Sequence, residues 1–209
     1  MQDPDATDLA MDPAMDLDGL ERLAASQRAH RRYADTPVDD ELLDRLLRVA
    51  TRAPSAANSQ PCLFVTVTDP AGRAAVGEIV ATAWRAGGRT WSERHLSGAL
   101  LDEVDQGATG GIASAPTIIV VCGDASRSPR PALGASVFPA VQNLLLAATA
   151  AGLGSAMTTL GADDPSLHRL LGLDEMIVPM AIIPLGHPAV ALGPNRREPP
   201  RVLRDPSSS

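Results

Sequence analysis

The chain has 209 residues, 44% hydrophobic and 21% charged, which suits one globular unit with room for a sizeable core. Its net charge of −7 and aromatic content of 2% argue against a nucleic-acid surface, which needs clustered basic groups and stacking rings. All 18 basic residues are arginine, so Schiff-base chemistry and a phosphate-loop lysine are excluded, and any bound anion must be met by Arg, hydroxyls or backbone N–H groups.

Residues 1–16 are polar and Asp-rich and read as a flexible N-terminal extension, with 17–209 as a single domain. This acidic start lacks the positive flank of a signal peptide. Cys62 and Cys122 form no C-x-x-C pair, and the apolar run Leu144–Leu153 reads as too short to span a bilayer. A soluble, cytoplasmic protein is the expectation. Leu17, Leu20, Leu23 and Ala24 share one helical face. After Pro37, acidic Asp39, Asp40 and Glu41 open a second helix whose buried stripe is Leu42, Leu43, Leu46, Leu47 and Ala50, with Ala53-Pro54 as its end.

Leu63–Thr68 is β-branched and bounded by prolines, a strand, and a helix follows from about Ala71 to Trp84. Residues 85–115 are the least regular stretch, with glycines at 87, 88, 107, 110 and 111; the last three suit a lid. Thr117–Cys122 reads as a buried strand and 132–151 as a long helix carrying Pro139. Ser155–Leu160 reads as a strand, Pro165–Leu173 as a short helix and Ile177–Leu185 as a strand. Strands and helices alternate loosely, so the class is α+β.

Several familiar chemistries fail. Gly152-Leu153-Gly154 lacks the third glycine of a dinucleotide fingerprint and follows a helix. His30, His95, His168 and His187 are scattered, so no metal site is expected. Gly134-Ala135-Ser136 begins a nucleophile elbow that Phe138 fails to close. With no acid–base or nucleophilic signature, catalysis here would belong to a bound cofactor, and no side chain is assigned a catalytic role.

Four segments carry the remaining signal: Arg28-Ala29-His30-Arg31-Arg32-Tyr33, Pro54-Ser55-Ala56-Ala57-Asn58, Gly152-Leu153-Gly154-Ser155 running to Thr158-Thr159, and Pro184-Leu185-Gly186-His187-Pro188 followed by Arg196-Arg197. Singly they have plain explanations: helix-end charge compensation, a helix stop and loop, a glycine cap. In this order and spacing, from about Leu20 to Leu203, the chain resembles the nitroreductase family of FMN-dependent oxidoreductases.

That resemblance implies an α+β fold with a central, mostly antiparallel sheet flanked by helices, in an intertwined homodimer. It places Arg28, Ala29, Arg31 and Arg197 at the FMN phosphate, with Arg196 as a neighbour. The family has Ser where Ala29 stands, so one hydroxyl is missing. It assigns Pro54, Ser55, Ala56 and Asn58 to the dimer mate's flavin, and Met157, Thr158 and Thr159 to the strand beside the flavin's hydride-accepting nitrogen. Trp84 and Trp91 are either stacking partners for a flat substrate or core anchors. The implied activity is an FMN-dependent NAD(P)H oxidoreductase that passes hydride from NADPH or NADH through FMN, by ping-pong, to a flat acceptor such as a nitroaromatic or quinone. The alternatives are single-electron flavin chemistry, as in the deiodinase-like or flavin-cleaving branches, and a non-catalytic FMN-binding or storage protein.

Overall fold

The computed structural model describes residues 16–193, 195 and 197–203. Helix starts follow the acidic caps. Asp16 accepts from Gly19 N at 2.7 Å to open α1 (Leu17–Ser26), so the last residue assigned to the extension is a helix cap. Asp39 accepts from Leu42 N at 3.0 Å to open α2 (Asp40–Ala50), which stops three residues before Ala53. Asp69 does the same for α3 (Pro70–Ala83), with Pro70 in the first turn, where its missing N–H costs nothing. Asp164 and Pro165 repeat the device for α8 (Pro165–Leu170).

The sheet has four strands in the order β1-β2-β4-β3, all antiparallel: β1 (Cys62–Val67), β2 (Thr117–Asp124), β3 (Gly154–Ser155) and β4 (Ile177–Gly186). Val121 pairs with Ala181 and Cys122 with Pro179, leaving Met180 as a bulge beside a proline that cannot donate. The expected strand over Ser155–Leu160 is reduced to two residues and one isolated bridge, Thr158 with Ile182. Pro184 is the reason. Ala156 N reaches Pro184 O at 3.4 Å, but Pro184 has no N–H to return, so the ladder lapses before Thr158 and Ile182 exchange both bonds.

Strand alternation divides the core. Ile119, Val121, Ala181, Ile183 and Leu185 face α2 and α7 (Arg130–Ala150), meeting Leu43, Leu46, Val137, Val141 and Leu144. Ile118, Val120, Cys122 and Ile182 face the other way, onto Val76 and Val80 of α3, Ile112 and Leu167. Each fully buried Ile or Leu contributes about 1.5–3 kcal/mol. Helix α7 is long and apolar enough, by length and composition, to cross a membrane; here it is the core helix of one layer. Pro139 lies inside it without ending it.

The stretch expected to be irregular is mostly helical. A π turn, Trp84–Gly88, leads into α4 (Arg89–Ser92); α5 (Gly98–Gln106) runs through a second π turn, Gly107–Gly111, into α6 (Ile112–Ser114). The lid assignment for Gly107 and Gly111 fails, because both are buried against Arg31. A Cβ at Gly107 would overlap the Arg31 side chain, and one at Gly111 would overlap the Arg31 carbonyl oxygen. These glycines permit close approach.

Candidate functional site

The basic segment after α1 is held extended on the sheet edge. Ala29 bridges Ser155 in parallel, and His30 N donates to Ser155 O at 2.9 Å. On its other side Ala34 N donates to His187 O and Ala189 N to Arg32 O, so the turn after Pro184-Leu185-Gly186 seats the segment. The buried Tyr33 hydroxyl donates to His30 O at 2.5 Å and lies 3.3 Å from Pro184 O; burial raises its pKa and keeps it protonated. His30 is pushed below its ordinary pKa, first by burial and then by Arg28, with Glu103 opposing.

The tail returns to the same place. Asn195 N donates to Ala25 O at 3.0 Å, and its side-chain amide to Ala24 O at 2.9 Å and Gln27 O at 3.3 Å, closing the C-terminus of α1. Arg197 thereby joins Arg28, Ala29 and Arg31 around a polar cleft of about 530 Å³ that Gln27, Glu103 and Asn195 complete. Arg28 Nη1 donates to Gly193 O at 2.5 Å, and Arg31 Nη1 to Glu103 Oε1 at 2.9 Å. Three arginines against one carboxylate leave the cleft cationic, suited to an oxyanion with more than one charge. Arg196 lies outside the described residues.

Arg31 also borders a second, apolar space, a crevice of about 70 Å³ between the sheet end and the 84–114 segment. Met157, Thr158, Leu160 and Pro184 form one wall, Val104, Ala108 and Ile112 the other. Thr158 is oriented from both ends: its N–H donates to Ile182 O at 3.0 Å, and its hydroxyl accepts from Leu160 N at 3.1 Å. Strand alternation therefore turns the N–H groups of Met157 and Thr159 away from β4, and among the described residues neither finds a partner. Met157 is 47% exposed.

Pro54, Ser55, Ala56 and Asn58 are not brought to this cleft within one chain; none of them lines the cleft or the crevice. Their loop is nevertheless over-determined. Ala57, Asn58 and Gln60 have φ of 50°, 51° and 48°, unusual for residues bearing a Cβ. Ala56 N donates to Ser136 Oγ of α7 at 3.1 Å, Gln60 N to Ser55 Oγ at 3.0 Å, and Gln60 Nε2 to Asn58 Oδ1 at 3.1 Å.

The two tryptophans separate. Trp84 is 2% exposed and donates from Nε1 to Asp105 Oδ1 at 2.8 Å, a core anchor and not a stacking surface for a substrate. Trp91 is 63% exposed and stacks on His95 with ring centroids 4.3 Å apart. Sequence reasoning missed Gln27, Glu103 and Asn195. Glu103 was hidden in a stretch read as irregular, and a single Asn before two arginines carries no signal of a helix cap made from 168 residues away.

The Nitroreductase family model matches residues 24–187. The chain is 34% identical to an NADH dehydrogenase of Thermus thermophilus over 192 residues, 84% of this chain and 90% of that one. Among solved structures it is similar to a nitroreductase-like chain of Desulfovibrio desulfuricans in complex with FMN, with 28% identity and a TM-score of 0.66 over 86% of this chain and 91% of that one. It is also similar to oxidized iodotyrosine deiodinase bound to FMN and 3-iodo-L-tyrosine, with 26% identity and a TM-score of 0.71 over 89% and 98% of the two chains. With the four-stranded antiparallel sheet, the helical layers and the matched span taken together, the chain belongs to the Nitroreductase family.

Proposed function

We propose that the protein is an FMN-dependent NAD(P)H oxidoreductase that passes hydride, by a ping-pong cycle, from NADPH or NADH to a flat acceptor such as a nitroaromatic or quinone. The supporting observation is Arg31, which borders both a cationic cleft and an apolar crevice. FMN has that shape, a phosphate dianion at one end and a flat, largely apolar ring at the other. The donor set fits the phosphate end, which Arg28, Arg31 and Arg197 would hold, while the crevice of about 70 Å³ is too small to enclose the ring, so Met157, Thr158 and Leu160 would edge the ring from one side only. Bound FMN supplies the hydride-accepting and hydride-donating centre, and the two substrates use it in turn.

The chain's own contribution is placement and polarity. The N–H groups of Met157 and Thr159, turned away from β4 and without a partner among the described residues, would be free to donate to the edge of the ring when FMN is bound. Ala108, Val104 and Ile112 keep water from the opposite wall. The strained loop serves the second copy's site, so that each site of a homodimer takes Pro54, Ser55, Ala56 and Asn58 of the partner subunit. Residues 17–209 act as one domain in the cytoplasm, where the nicotinamide donor is held.

The test is an absorbance spectrum of the FMN-loaded protein before and after anaerobic NADPH or NADH. Bleaching within seconds supports the reading, resistance to both nicotinamides favours a storage protein, and a chain that cannot take up FMN overturns it. A second reading, single-electron chemistry, is favoured by the Thr158 hydroxyl at the crevice and by the likeness to the deiodinase. Stepwise reductive titration separates the two: one two-electron step supports hydride transfer, and two resolved one-electron steps support the second reading.

A further inference from the structure

Arg31 is held by one neighbouring segment and by its own extended backbone. Its Nη1 lies 2.9 Å from Glu103 Oε1 of α5 and 3.3 Å from Ala29 O. One turn after Glu103, the π turn lays Gly107 against the arginine's aliphatic stem and Gly111 against its backbone carbonyl. Any Cβ at either position would displace Arg31. The same helix presents Val104 to the crevice, and the π turn presents Ala108. The crevice wall and the contacts on Arg31 thus come from one continuous stretch of chain, α5 and the π turn that follows it.

We propose that Glu103 is a positioning residue for Arg31, so that the wall of the crevice also sets the readiness of the cofactor cleft; this rests on the FMN reading above. A carboxylate in a phosphate cleft is costly by charge alone, since it repels the dianion. Its compensation is preorganisation: an arginine already fixed in its working rotamer loses little freedom when the ligand arrives. The pair is not there for stability. The Arg31 and Glu103 side chains are 23% and 36% exposed, and ion pairs of that exposure contribute little to folding. A residue that neither folds the chain strongly nor attracts the ligand, yet holds the arginine that borders both spaces, acts through that arginine.

Two substitutions in two backgrounds test this, with FMN as the probe and its fluorescence quenching as the readout. Glu103→Ala removes both charge and acceptor and is expected to weaken FMN binding about five- to tenfold, the cost of ordering one arginine side chain on binding. Glu103→Gln keeps an acceptor for Nη1 and is expected to stay within about threefold of the wild type. In an Arg31→Gln background neither substitution weakens binding further. Urea midpoints of the FMN-free variants are expected to match the wild type. Equal weakening in both backgrounds, or weakening that follows a fall in the urea midpoint, overturns the proposal. FMN uptake indifferent to Glu103 overturns it alone, whereas a wild-type chain that takes up no FMN overturns the cofactor reading with it.

Discussion

Arg197 borders the cleft with Arg28 and Arg31, and in the proposed function it adds a cation at the phosphate. Arg197→Ala is expected to weaken FMN binding about tenfold and to reduce the loss of affinity between low and high salt, since one fewer charge takes part. Titration at two ionic strengths checks both, and an unchanged salt dependence would remove Arg197 from the phosphate. His30 gives a pH dependence. Burial and Arg28 lower its pKa in the folded chain below the ordinary 6.5, so the unfolded chain binds the proton first. Its stabilising contribution is complete above pH 6.5 and is lost as pH falls through the lowered folded value. Urea midpoints should therefore decline from pH 7.5 toward 5.5, and His30→Gln should flatten that decline; equal slopes in both proteins would show the wrong group has been named. At this scale the arginines stood out only in series with the three other segments, since the basic cluster alone reads equally well as helix-end charge compensation. Glu103 was not, since its meaning is a contact with a residue 72 positions earlier.

Elements were legible where local chemistry decides them. Asp39 stands before an acidic first turn and a leucine stripe, and it is the cap the pattern indicates. Asp39→Ala should cost about 1 kcal/mol in denaturation, with no effect on the cleft. The 85–115 stretch was misread because its glycines lower helix propensity by about 1 kcal/mol each, a local penalty that tertiary packing overrides. Two of those glycines make a paired test. At Gly110 an added Cβ meets nothing within 4 Å, so Gly110→Ala should stabilise the chain by about 0.5–1 kcal/mol through propensity. At Gly111 the same methyl collides with the Arg31 backbone, so Gly111→Ala should destabilise by about 1–3 kcal/mol. Denaturation midpoints that move the same way in both would undo the close-packing account of the π turn. Strand β3 was overpredicted for a different reason: its length depends on Pro184 of β4, and no pattern within 155–160 records that a neighbouring strand lacks a donor.

At the scale of the molecule, apolar surface is distributed as though a second body were due. Helix α1 contributes no buried side chain, with Leu17 70% and Leu20 45% exposed, although its leucines fall on one face. Val49 of α2 and Leu146 of α7 line a groove of about 920 Å³ that Leu23 of α1 borders. Helix α7 carries no single apolar face, its hydrophobic residues being spread around the helix between polar positions such as Arg130 and Gln142, and Phe138 remains exposed. The strained Ala57–Gln60 backbone and the Pro54, Ser55, Ala56 and Asn58 set, which lines neither space, fit the same proposal, since one twofold partner would both complete the proposed site and cover this surface. The wild-type protein is therefore expected to sediment at twice its chain mass of 21.7 kDa with one FMN bound per chain. Leu20→Glu combined with Val49→Glu should shift it toward the monomer, and FMN should be lost in proportion, although neither residue lines the cleft or the crevice. Sedimentation at several protein concentrations, with bound flavin measured on the same samples, makes the link quantitative: occupancy should follow the dimer fraction. A monomer that keeps its full complement of FMN would show that one chain builds the whole site, and the strained loop would then need another explanation.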